Sequence, residues 1–177
     1  LDPATAGRPV LVKGDSQLLF GGMGRLTEAT MLNVKNRSHA VTAQIHVPES
    51  GAEGVIIAQG GAFGGWSLYE RDGRLVYCHN FLGLRRFKVV ADSALPAGDH
   101  AVRMEFTYDG GGMGKGGTAK ILVDGKEVEN VRVEKTSPFR FSTEETLDFG
   151  LDTGTPVDLS YDVPYEFTGE LGKVVID

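Results

Sequence analysis

Leu95-Pro-Ala-Gly-Asp-His-Ala-Val-Arg-Met-Glu-Phe-Thr-Tyr-Asp109, followed by the glycine run 110–117 and by Ala119-Lys-Ile-Leu-Val-Asp-Gly125, is the stretch that decides the fold. Val102, Met104, Phe106 and Tyr108 fall on one side of an extended chain, and Ala101, Arg103, Glu105 and Thr107 on the other. A period of two marks a strand with one buried face. Ala119, Ile121 and Val123 repeat the pattern against Thr118, Lys120 and Asp124, with Leu122 blurring the polar side. Asp124-Gly125 then supplies the two positive φ angles of a tight hairpin.

The same reading works outward. Gln17–Phe20 and Ala29–Val34 read as short strands. Ser38–Val47 is a strand with Val41, Ala43, Ile45 and Val47 on one face, ended by Pro48. Val55-Ile-Ile-Ala58 is apolar on both faces, as in a central strand covered on two sides. Trp66–Arg71 and Arg74–Phe81 flank the hairpin signal Asp72-Gly73. Leu84–Ala91 has Phe87 and Val89 inward, and residues 127–135 and 171–176 complete the set. Thr143–Leu147 reads as the one helical turn, with Thr143 as its cap. Residues 1–16 read as a linker or an N-terminal arm, and 17–177 as a single domain. Ten to twelve short strands without helix alternation predict an all-β, antiparallel β-sandwich of jelly-roll type. The 25 glycines among 177 residues fit a chain with many turns.

Composition narrows the partners. The net charge is −6, and the densest basic cluster, Arg85-Arg86-Phe87-Lys88, puts Arg86 and Lys88 on one strand face, which reads as solvated. An acidic chain without a basic stripe argues against nucleic acid and anionic membrane. No apolar run approaches the length of a membrane span. The lone Cys78 sits inside a strand and reads as a buried small hydrophobe. The start Leu1-Asp2-Pro3 reads as a cut inside a longer protein.

Motifs of chemistry are few. Gly112, Gly114 and Gly117 match G-x-G-x-x-G, but a strand follows where a dinucleotide site needs a helix. Gly114-Lys115 lacks the Ser or Thr of a phosphate loop. Asp148, Asp152, Asp158 and Asp162 could offer oxygens to a hard cation, but their spacing fits no calcium loop, and turn-forming aspartates explain them as well. Glu70-Arg-Asp72 begins an E-x-D-x-x-E glycosidase pattern, but Leu75 breaks it. His39, His46, His79 and His100 form no close ligand pair in sequence. Phe63, Trp66, Tyr69, Tyr161 and Tyr165 have polar neighbours and could stack on sugar rings; Trp66 and Tyr161 are the expected platforms.

Asn33–His39, Gly54–Gly61, Gly64–Tyr69, Tyr77-Cys-His-Asn-Phe-Leu-Gly83, Tyr108–Gly117 and Asp148-Phe-Gly-Leu-Asp-Thr-Gly-Thr-Pro156 together resemble the C-terminal region of bacterial arylsulfatases. The resemblance covers nearly the whole chain and implies a preceding alkaline-phosphatase-like catalytic domain. That domain carries a C/S-x-P-x-R motif converted to formylglycine, and a calcium; neither belongs to this segment. No catalytic residue carries over, because Cys78 is followed by His79, Asn80 and Phe81. More loosely, Gly98-Asp-His100, an alternating strand and Val123-Asp-Gly125 resemble laminin-G and concanavalin-like sandwiches.

Three functions follow as expectations. The first is a non-catalytic accessory domain packed on a sulfatase catalytic domain. In it the glycine loop, with Gly111, Gly112, Gly114 and its one charged residue Lys115, docks against that partner, the domain helps to shape substrate access, and a carbohydrate or sulfate ester is the expected ligand. The second is a free-standing carbohydrate-binding module. The third is a small glycosidase with an unrecognised carboxylate pair. No cofactor is expected in this chain.

Overall fold

In the computed structural model, which describes residues 11–177, eleven strands form two antiparallel sheets. Part of the expected N-terminal arm, residues 1–10, lies outside the described residues. The larger sheet has the order β1(Gln17–Phe20), β11(Glu170–Ile176), β2(His39–Val47), β7(Gly98–Tyr108), β8(Gly117–Val123), β9(Lys126–Val133). The smaller has the order β10(Leu147–Phe149), β3(Gly54–Gly61), β4(Gly64–Arg71), β5(Arg74–Phe81), β6(Arg85–Val90). The sheets face each other across one core. The larger contributes Val41, Ala43, Ile45, Val102, Met104, Phe106, Ala119 and Ile121; the smaller contributes Ile57, Trp66, Leu68, Leu75, Tyr77 and Phe87.

The alternations read from sequence set these faces. Val102, Met104 and Phe106 are at most 4% exposed. Their partners in β2 are Ala43, Val41 and His39, and in β8 Val123, Ile121 and Ala119. Asp72-Gly73 and Asp124-Gly125 both take positive φ, as their hairpins require. The blur at Leu122 is a register shift between Ile121 and Leu122 in the β8–β9 pair.

Two local expectations fail. Ala29–Val34 is not a strand. Glu28–Thr30 is a single 3₁₀ turn, and the Gln17 side chain takes the place of a neighbouring strand. Its Nε2 donates to the Thr30 carbonyl (3.0 Å), and its Oε1 accepts from the Leu32 amide (2.7 Å). Met31, Leu32 and Val34 are buried all the same, so the apolar pattern was real and only its backbone was misread. Thr143–Leu147 is not helical either. Ser142 Oγ accepts from the amides of Glu144 and Glu145, which closes a turn, and Leu147 opens the edge strand β10.

The second cover on β3 is a loop. Residues 150–169 cross the outer face of the smaller sheet as a flap. Val157, Tyr161, Val163 and Tyr165 pack on Val55, Ala58, Tyr69, Val76 and Cys78. Backbone bonds tie the flap to β3, from the Gly150 amide to the Ile56 carbonyl (3.0 Å) and from the Val55 amide to the Tyr165 carbonyl (3.2 Å). Beneath it β3 is buried along its whole length. Arg86 and Lys88, expected on a solvated face, clasp this flap. Arg86 Nε donates to the Val157 carbonyl (2.9 Å), and Lys88 Nζ lies 2.8 Å from Asp158 Oδ2.

Candidate functional site

One end of the sandwich gathers three turns: 62–63 between β3 and β4, 82–84 between β5 and β6, and 109–116 between β7 and β8. Arg85 at the start of β6 reaches Glu134, just past β9 (2.5 Å), so both sheets share this end. Ala62-Phe63 and Leu82-Gly83-Leu84 carry no charge, and Phe63 is 77% exposed and Leu84 81%. Leu82 takes φ 53°, a left-handed conformation that costs a bulky side chain energy. An exposed, strained leucine at a hairpin tip is not explained by packing.

The turn that carries Phe63 is held through the backbone of Gly61 and Ala62. Asn80 Nδ2 donates to the carbonyls of Gly61 (2.8 Å) and Ala62 (3.0 Å), while its Oδ1 accepts from the Gly83 amide (2.9 Å). One side chain therefore fixes two adjacent turns. From the other side Thr155 Oγ1 accepts from the Ala62 amide (2.9 Å) and donates to Glu145 Oε1 (2.7 Å). Glycine is required just behind the turn. A Cβ on Gly60 would run into the Gly64 carbonyl, and one on Gly65 into the Gln59 carbonyl.

Beside Phe63 opens a cleft of about 470 Å³ lined by Arg140, Thr143, Glu144, Glu145 and Thr155. Arg140 Nε is shielded from solvent and has no acceptor among the described residues. The cleft thus offers one exposed aromatic face flanked by hydroxyl, carboxylate and guanidinium groups. Chemically it can stack on an apolar ring face while exchanging hydrogen bonds with that ring's substituents.

The two expected platforms are elsewhere. Trp66 is in the core, 1% exposed, with its Nε1 donating to Gln59 Oε1 (3.0 Å). Tyr161 is buried in the flap, stacked on Tyr165 at 5.0 Å, and its hydroxyl donates to Asp152 Oδ2 (2.5 Å). Neither leaves a ring face for a sugar. Tyr69 is fully buried and donates to Asp158 Oδ2 (2.6 Å). Of the aromatic set named from sequence, Phe63 is the one with an open ring, and its signal was the bracket Gly60-Gly-Ala-Phe-Gly-Gly65.

Of the acidic series, Asp148, Asp152 and Asp158 hold the flap, while Asp162 is exposed. Asp148 accepts from the Arg25 amide, from Thr146 Oγ1 and from Thr153. Asp152 is paired with Tyr161, and burial pushes its carboxyl up to about 7. Burial would also raise Asp158, but Lys88, Tyr69 and Ser160 together hold it below the usual carboxylate range. Among the described residues no three His, Cys, Asp or Glu side chains come together as a metal site.

The glycine loop is tied in place. Gly110, Gly111, Gly112 and Gly114 all take positive φ, from 66° to 122°. Tyr108 Oη donates to the Gly112 carbonyl (2.6 Å) and accepts from the Lys115 amide (2.9 Å). Asn36 links the Gly114 amide to the Pro138 carbonyl, and Thr136 Oγ1 donates to the Lys115 carbonyl. The backbone faces of Gly111 and Gly112 and the side chain of Lys115 remain exposed at the same end as Phe63.

Buried titratable groups occur at both ends of the core. Glu70 is fully enclosed, and neither of its carboxylate oxygens has a partner. Burial first, and Glu53 second, push it up to about 7, opposed by His100. Burial lowers His39 to about 4 and His79 to about 3.

No family model matches the chain, and no curated protein does. Solved structures do. Domains LG4-5 of the mouse laminin α1 chain superpose with a TM-score of 0.64 at 19% identity, over 94% of this chain and 40% of that one. The binding domain of Paraclostridial Mosquitocidal Protein 1 gives 0.55 at 13% identity, over 93% and 42%. The native heptameric SAP-like pentraxin of Limulus polyphemus gives 0.50 at 14%, over 91% and 75%. The chain spans less than half the length of the first two structures. The fold is therefore a jelly-roll sandwich of the concanavalin-like, laminin-G kind.

Proposed function

We propose that the chain is a non-catalytic binding module that takes a carbohydrate in the cleft beside Phe63. The observation that carries this reading is the exposed Phe63 ring, on a turn whose Ala62 backbone is fixed by Asn80 and Thr155, flanked by Arg140, Glu144 and Thr143. A sugar presents an apolar ring face and a rim of hydroxyls, and this arrangement complements both. The alignment with a toxin's binding domain supports a binding role for the fold. A glycan microarray probed with the intact protein and with Phe63→Ala tests it. Binding to at least one glycan, lost in the variant while the melting temperature holds, is expected. Equal binding by the two proteins would refute the site.

A second reading rests on the glycine loop and on the resemblance to arylsulfatase C-terminal regions. In it the module sits beside a sulfatase catalytic domain, with Gly111, Gly112, Gly114 and Lys115 against that partner. Calcium and formylglycine then belong to the partner, because the buried Cys78 lies outside any C/S-x-P-x-R motif. The Arg140 guanidinium gives the cleft a donor for a sulfate ester on the sugar. Slower hydrogen exchange at 109–116 on joining the two domains would support this reading, and unchanged exchange would remove it.

A further inference from the structure

Between the sheets, behind Phe141, lies a small, largely enclosed cavity of about 10 Å³. Its apolar walls are Val34, Trp66, Tyr77, Phe106 and Phe141. Three polar atoms among its lining residues are shut off from solvent without a partner: His39 Nε2 on β2, His79 Nε2 on β5, and Ser137 Oγ on the segment after β9.

The remaining polar neighbours are spent. Asn36 bonds to Gly114 and Pro138, and Thr136 to the Lys115 carbonyl. The chemistry of the three orphans is determined by what surrounds them. His39 Nδ1 lies 3.2 Å from the Arg37 carbonyl, so it carries the proton and leaves Nε2 as an acceptor. Burial holds both imidazoles neutral, and their mutual repulsion adds to this at His79. Among the described residues no partner fixes the tautomer of His79, so the cavity presents one imidazole acceptor, one neutral imidazole able to accept or donate, and one hydroxyl. Its one charged lining residue is Lys35, on the segment before β2, which pairs with Glu28 and stands 5.3 Å over the Phe141 ring. Arg37 contributes its carbonyl, and Tyr77 is the titratable neighbour from β5. No carboxylate lines the cavity, so nothing there balances a bound metal cation. With the His39 acceptor facing it and both imidazoles neutral, an anion is equally ill-suited. A small neutral donor-acceptor fits, and the volume suits a single molecule the size of water.

We propose that His39 Nε2, His79 Nε2 and Ser137 Oγ form a binding site for one structural water. The water accepts from the Ser137 hydroxyl and donates one hydrogen to each imidazole. All three orphans are satisfied at once, and β2, β5 and the segment 134–141 are joined. Phe141 lines both this cavity and the cleft beside Phe63, so the water anchors the wall that carries Arg140.

Nuclear magnetic resonance of the intact protein tests the assignment. At pH 7 both histidines should show the Nδ1–H tautomer, and their ring protons should give cross-peaks to a long-lived water. Ser137→Ala should lose those cross-peaks and speed amide exchange across 138–145. Where that variant fails to fold, the tautomers and water contacts of the unmodified protein decide. A protonated Nε2 on His39, no water contact, or unchanged water contacts in Ser137→Ala would overturn the proposal. So would a stoichiometric shift of the histidine resonances on adding zinc, which would make the site a metal site.

Discussion

Replacing Glu70 with glutamine should make the protein more stable relative to wild type as the pH rises, although the change removes a charge from a buried strand. Glu70 is enclosed between the sheets with both oxygens unpartnered, and burial lifts its carboxyl from 4.5 to about 7. For an acid raised on folding, the native chain holds the proton more tightly than the unfolded chain. The associated stability is full below 4.5 and is lost as the pH climbs through 7. Applying the two values to pH 5 and pH 8 gives a loss of about 2–3 kcal/mol in wild type over that interval. Glutamine has the same shape and no titration. Its own unmet hydrogen bonds add a penalty that does not change with pH. The imidazoles of His39 and His79 and the carboxyl of Asp152 titrate equally in both proteins and cancel in the difference. Urea unfolding at pH 5, 6, 7 and 8, followed by the fluorescence of the single tryptophan, gives the two stability curves. The gap between them should shift by about 2–3 kcal/mol in favour of Glu70→Gln as the pH rises. Parallel curves would refute the reasoning and mean that Glu70 keeps an ordinary pKa.

Other consequences are as direct. Phe106→Ala should cost about 3–5 kcal/mol in urea, and Arg103→Ala on the opposite, solvated face about 1 kcal/mol or less; equal losses would reverse the face assignment. Asp158→Ala removes the acceptor of Tyr69 and the partner of Lys88, and should cost about 2–4 kcal/mol with a changed near-ultraviolet tyrosine signal. Tyr108→Phe should speed amide exchange in 109–116 about fivefold, the equivalent of about 1 kcal/mol for the lost hydroxyl bonds. Incubated with a chromogenic aryl sulfate, the isolated chain should show no turnover; turnover abolished by one substitution within it would sink the non-catalytic reading.

The long alternating strands were legible because their period of two survives in sequence whatever covers the other face. Val102, Met104 and Phe106 point where their spacing says, and the Asp-Gly pairs turn where they stand. What escaped was set by side chains far apart in sequence. The Gln17 amide replaces a strand partner for residues 30–32 from 13 and 15 positions away. Ser142 turns a segment whose composition also suits a helix. Val55–Ala58 did announce two covered faces, but its outer cover is a flap that has no periodicity of its own. The candidate site followed the same rule. Spacing cannot tell an aromatic ring packed in a core from one held over a cleft. Trp66 and Tyr161 turned inward, while Phe63 was left outside by glycines that press its turn against Thr155 and Asn80.

Cys78 lies on the outer face of β5, fully buried in the cluster that includes Val157 and Tyr161 of the flap, and burial pushes its thiol well above the ordinary cysteine range. Its sulfur is thus silent toward alkylating reagents while the flap is closed. When the flap lifts the thiol is bared, and the core between the sheets need not open. The chain therefore carries its own clock. Set against the rate of global unfolding, the rate at which a maleimide marks Cys78 reports whether residues 150–169 open separately, with no label having been introduced.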